Sequence, residues 1–154
     1  MTTKYAEGTT VAPDRSQAEI LGTLRKYGAQ GFGFGEEGNR AFVGFRFNNR
    51  NVQFTLTLPD SWQDKQFRLD GRGCLRPDSA RKAAYEKEVA RLWRCLALAI
   101  KAKLEVVSSG IATFEEEFLA HIVLPGGETV GQHVLPKLDN ELMPTSLLAI
   151  GGGQ

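Results

Sequence analysis

Lys87, Arg91, Arg94 and Lys101 recur at intervals of four, three and seven residues, the spacing that sets side chains along one face of an α-helix. A row of cations of this kind can neutralise successive phosphates of a nucleic-acid strand. The same row fits a solvated helix face supported by Glu86 and Glu88, and composition alone slightly favours that use. A second candidate surface comes from the alternation between Asn39 and Asp60. Ala41, Val43, Phe45 and Phe47 share one face there, as do Val52, Phe54, Leu56 and Leu58. The opposite face carries Phe42, Gly44, Arg46 and Asn48, then Gln53, Thr55 and Thr57, with no acid. Arg46 and Arg50, in the turn that follows, would contact phosphates, and Phe42 would stack on a base. Phe42 equally suits burial under a second layer.

Other chemistry finds little support. There is no nucleophile elbow, zinc-protease motif, phosphate loop, dinucleotide fingerprint or zinc pattern. Gly31-Phe32-Gly33-Phe34-Gly35 lacks the partners of a phosphate cradle and reads better as an edge strand. The run Glu115-Glu116-Glu117 invites an acid–base reading, but acids in a first helical turn are expected from the helix dipole. Asp60, Asp64, Asp70 and Asp78 lack the glycine and glutamate of a calcium loop. His121, His133, Cys74 and Cys95 are isolated from one another, so no metal site is expected. The expectation is a protein without catalytic residues, metal or cofactor.

Composition narrows the class without choosing a function. The 154 residues carry a net charge of +1, with 42% hydrophobic and 24% charged residues, as in an ordinary globular domain. Neither a signal-like apolar run at the N-terminus nor a membrane-length apolar stretch is present. With two unpaired cysteines, the reading is a cytoplasmic protein with no membrane partner.

The elements that would position these residues follow from periodicity and punctuation. Ser16-Gln17-Ala18-Glu19 matches a capping box and predicts a short helix using Ile20, Leu21 and Leu24, closed at Gly28. The alternating segments predict a three-stranded antiparallel meander with turns at Glu36–Asn39 and Asn48–Asn51. Pro59 to Pro77 reads as a long irregular connection with Arg68, Arg72 and Arg76 at spacing four. Asp78 or Ser79 opens a helix running to about Val107, with an apolar stripe of Tyr85, Val89, Leu92, Leu96, Ile100, Leu104 and Val107. Thr113-Phe114-Glu115-Glu116 is a second capping box, and Val130 to Leu138 an element interrupted by Pro136. The fold class expected is α+β: a short N-terminal helix, a three-stranded meander packed on one long helix, and short C-terminal helical elements. Residues 1–12 would be a mobile lead-in, 13–148 a single domain and 149–154 a flexible tail.

This order of elements resembles the core of the single-strand annealing proteins of phage recombination, most of all in ARKAAYEKEVARLWRCLALAIKAKLE. That resemblance implies DNA laid along a basic groove between sheet and helix, without assigning individual residues. SQAEILGTLRKYGAQGFGFG, IKAKLEVVSSGIATFEEEFLAHIVLPGGETV and a late Met-Pro are similar to a small protein family of tailed-phage and prophage genomes. It would cover most of residues 13–148 and implies phage origin but no chemistry. The leading expectation is a protein that binds single-stranded DNA through Arg46, Arg50, Lys87, Arg91, Arg94 and Phe42. The alternative is a phage protein that binds and modulates a host or phage protein, as an anti-defence inhibitor does. A homo-oligomer is compatible with either.

Overall fold

In a computed structural model of the chain, residues 11–140 are described. Most of the expected lead-in and all of the tail, including Met143 and Pro144, lie outside the described residues. The elements are α1 (Val11–Lys26), β1 (Gln30–Glu37), β2 (Arg40–Phe47), β3 (Arg50–Thr57), α2 (Asp78–Ser108), α3 (Phe114–Phe118) and α4 (Val130–Asn140). Single 3-10 turns lie at Lys65–Phe67 and Leu119–His121. The class is α+β, and the three strands form one antiparallel meander in the order β1-β2-β3. No helix among the described residues is long and apolar enough to cross a membrane.

The first helix starts earlier than its apparent capping box. Ser16 lies inside α1 and is buried. Pro13 falls in the first turn instead, where a backbone N–H has no intrahelical acceptor to lose. The helix closes as its sequence suggests: Gly28 takes φ +85°, and the Ala29 N–H donates to the Leu24 carbonyl at 3.0 Å.

Two turns fix the sheet register. Asn48 and Asn49 adopt φ 49° and 61°, the left-handed pair that a two-residue hairpin between twisted strands requires. Val43 consequently faces Phe34 on β1 and Phe54 on β3, and Phe45 faces Val52. These residues form the apolar inner face. On β1 the pairing shifts between Gln30 and Gly33, where Gly31 has φ +59°.

The inner face is covered from two directions. Val89, Trp93, Leu96, Ile100 and Leu104 of α2 are buried, joined by Ile20 and Leu24 of α1. Trp93 falls between the expected stripe positions Leu92 and Leu96, yet it is the largest fully buried side chain. Its ring meets Phe34 at 6.2 Å. The long helix does not cover the aromatic centre by itself. Phe118 of α3 sets its ring edge-on to both Phe45 (5.9 Å) and Phe54 (6.2 Å), and Phe114 lies 4.6 Å from Phe47.

That short helix has the expected capping box. The Thr113 hydroxyl accepts from the Glu116 N–H, and the Glu116 carboxylate accepts from the Thr113 N–H. A second capping box, in Thr129-Val130-Gly131-Gln132, starts α4, with the Thr129 hydroxyl accepting from Gln132 N–H at 3.2 Å and the Gln132 side chain from Thr129 N–H at 2.8 Å. It explains where α4 starts; the helix then runs through Pro136 and is not interrupted there.

Phe118→Ala should lower unfolding free energy by about 3–5 kcal/mol in urea titration, because a fully buried ring is removed from contact with three others, Phe45, Phe54 and Phe114. Leu98→Ala, on the exposed side of α2, should change it by only about 0.5 kcal/mol.

Candidate nucleic-acid interface

The connection from 59 to 77 is an ordered strap. Asp64 accepts the Ser61 N–H with its side chain, and its carbonyl accepts from Phe67 N–H at 2.9 Å, starting the 3-10 turn. That turn buries Phe67, whose ring stands edge-on to Tyr85 of α2 at 5.7 Å. The Lys82 ammonium lies 4.9 Å over the Trp62 ring. Further on, Leu69 and Leu75 form a bridge around a tight loop. One Asp70 carboxylate oxygen accepts the N–H groups of Arg72 (2.8 Å) and Cys74 (2.9 Å). Arg76 N–H then donates to the Arg68 carbonyl, and the Arg81 side chain ties back to the Arg76 carbonyl at 2.9 Å.

Between this strap and α2 runs an open groove of about 600 Å³. Its charged lining is Arg76 from the strap and Lys87, Arg91 and Arg94 from the helix, against one acid, Glu88. Lys87, Arg94 and Arg76 make no ion pair among the described residues. Arg91 grips Glu88 with two nitrogens, at 2.8 and 2.7 Å. That fork holds the Glu88 carboxyl below the usual carboxylate range and raises the guanidinium in turn.

The remaining expected residues lie elsewhere. Lys87, Arg91 and Arg94 sit on the side of α2 turned away from Val89 and Trp93, hence away from the sheet. Arg46 and Phe42 occupy the outer sheet face, on the opposite side of the molecule, where Arg46 is exposed and Phe42 half-buried. That face is open, with Gly35 beside Phe42 and Gly33 beside Gly44. Taken over all three strands it is not free of acid, because Glu37 of β1 stands opposite Arg40. Arg50 belongs to neither surface. It opposes Phe47 on the inner side, and its guanidinium donates to Glu115 at 3.2 Å.

The acids of α3 are accounted for singly: Glu115 by Arg50, Glu116 by the cap, and Glu117 by Lys103 at 3.2 Å. His121 stacks on Phe54 at 4.0 Å, and burial, with Lys103 nearby, lowers its pKa. Among the described residues no three His, Cys, Asp or Glu side chains gather as metal ligands. A second groove, of about 320 Å³, is mainly apolar and lies between the 3-10 turn at Leu119 and α4, lined by Leu119, Val130, Val134 and Leu135. Arg76 and this apolar groove were the features the sequence pattern did not bring out. Arg76 looked like one of three loop arginines, and only the strap's hydrogen bonds turn it towards α2.

No protein-family model, curated protein or solved structure matches the chain.

The Asp70 carboxyl lies below the ordinary range, because the Cys74 and Arg72 N–H groups stabilise its charge. A depressed folded-state pKa means the loop gains stability above the ordinary aspartate range and loses it as pH falls through the depressed value. The Arg72 and Cys74 amide resonances should therefore titrate with a midpoint below that of a free aspartate. Asp70→Asn should remove that titration.

Proposed function

We propose that the chain is a non-enzymatic nucleic-acid-binding protein that takes single-stranded DNA, as a recombination or annealing accessory of a phage. The observation that carries this reading is the groove, in which Arg76, Lys87, Arg91 and Arg94 converge against a single acid. Lys87 to Arg94 spans about 10 Å of helix axis, so the cations lie along a track and not at a point. Contact in the groove is with phosphates alone. Phe67, its aromatic lining residue, is buried, and the stacking candidate Phe42 lies across the molecule. Arg46 and Phe42 then form a secondary surface, reached only by a strand that wraps the sheet edge.

Fluorescence anisotropy with labelled single-stranded DNA over a salt series tests this. Phosphate contacts from Arg76, Lys87 and Arg94, the three lining cations without an ion pair among the described residues, predict a log–log salt slope of about −2.1, from about 0.7 per contact on a single strand. Lys87→Glu and Arg94→Glu should each weaken binding at least tenfold, whereas Arg46→Glu and Phe42→Ala should change it less than threefold. Glu88→Gln, which releases Arg91, should tighten it. No binding at low salt would defeat the proposal, and equal affinity for duplex would defeat its single-strand part.

A second reading, a phage protein that modulates a host or phage protein, is favoured by one observation. Leu119 and Leu135, which line the apolar groove, are 53% and 60% exposed, and Leu138, one turn further along α4 from Leu135, is 55% exposed; clustered exposure of that kind marks contact surfaces. Leu135→Glu combined with Leu138→Glu should release a protein partner retained from nuclease-treated extracts of infected cells. The same pair should leave DNA affinity unchanged.

A further inference from the structure

We infer that the free edge of β1 pairs antiparallel with β1 of a second copy of this chain, about a two-fold axis at Phe34, giving a continuous six-stranded sheet. The two edges of the sheet differ. On the β3 side, Val123 N–H donates to the Asn51 carbonyl at 2.8 Å and Ile122 bridges to Val52, so that edge is partly occupied. Among the described residues strand β1 pairs with β2 alone, and its eight residues contain neither the proline nor the lysine that commonly blunts an edge. Its bulge is confined to the start, and from Gly33 to Glu37 the register with β2 is regular.

Side-chain placement selects the register. Phe34 opposes Val43 and therefore points to the inner side, yet it remains 36% exposed although its ring touches Trp93. A two-fold at Phe34 sets that ring against its own copy, Gly35 against Gly33, and Glu36 against Phe32. Inner-side residues then meet inner-side residues and bare glycines meet bare glycines, whereas a slip of one residue would reverse the faces.

Charge gives the reason for a second copy rather than an unrelated strand. Arg25 stands over the Phe32 ring at 5.7 Å, and neither it nor Glu36 makes an ion pair among the described residues. Partial burial with no cation beside it raises the Glu36 carboxyl above its ordinary range. The β1 edge therefore has a cation from α1 beside its Phe32 end and an acid without an ion pair at its Glu36 end. Antiparallel pairing with itself brings Glu36 of each copy to Arg25 of the other, the self-complementarity that a two-fold interface requires. This inference does not depend on the nucleic-acid reading.

Light scattering on the full chain, without nucleic acid, should give twice the monomer mass, with dissociation on dilution. Glu36→Arg alone and Arg25→Glu alone should each shift the dimer dissociation constant upward at least tenfold, and the two together should restore it. Amide exchange should show protection of Phe32–Glu36 that rises with protein concentration. A monomer at every soluble concentration overturns the inference. So does a dimer whose affinity ignores both single charge reversals, because it would be built on another surface.

Discussion

A three-stranded meander has only one face with enough apolar surface to hold it folded, and no hairpin set of this size is stable without cover. The rest of the molecule is organised around burying that face. Two unlike elements share the task. The long helix, with Ile20 and Leu24 of α1 beside it, supplies aliphatic residues and Trp93, whose ring meets Phe34 of β1, while the five-residue α3 supplies two phenylalanines against Phe45, Phe47 and Phe54. Placing α3 requires Ser109-Gly110 to end α2, with Gly110 at φ +75°. Its orientation is then fixed by a reciprocal cap and by Arg50 reaching across from the β2–β3 turn.

The same demand decides where charge can go. Once one side of α2 is committed to the sheet, its cations are left on the far side, and the strap becomes the wall that turns a convex helix surface into a groove. The strap is held by groups that would otherwise be ordinary loop residues: Phe67 against Tyr85, Asp70 under two backbone amides, and Lys82 over Trp62. Functional geometry here is therefore a by-product of packing, and the sheet's outer face and the helix groove are physically separate surfaces.

Much of this architecture was readable from the chain. Alternation from Asn39 to Asp60 carried both strands and their faces, because period two has a single structural meaning at that length. Helix starts with reciprocal caps at Thr113 were equally plain. Ser16 misled because the same four-residue pattern can fall inside a helix, where this serine is buried in α1 and the helix starts further upstream. Pro136 misled in the other direction, since the helix that the capping box at Thr129 starts continues through it to Asn140. Trp93 was missed because a stripe drawn at strict spacings passes on either side of it. Of the candidate site, Lys87, Arg91 and Arg94 were legible as a helix face, but their joining with Arg76, and the exclusion of Arg50, depend on contacts 11 or more residues apart in sequence. No local pattern encodes those.

Both tryptophans of the chain stand at places where something else would arrive. Trp93 lies beneath the exposed strand edge in contact with Phe34, its indole N–H buried without an acceptor among the described residues. Trp62 lies on the strap under a lysine ammonium, half-buried. The two indoles thus sit in contrasting surroundings, one dry and apolar, the other wet and beside a cation. Their emission should differ in colour and in access to a dissolved quencher, which gives the protein an intrinsic two-channel optical readout of its strand edge and of its strap.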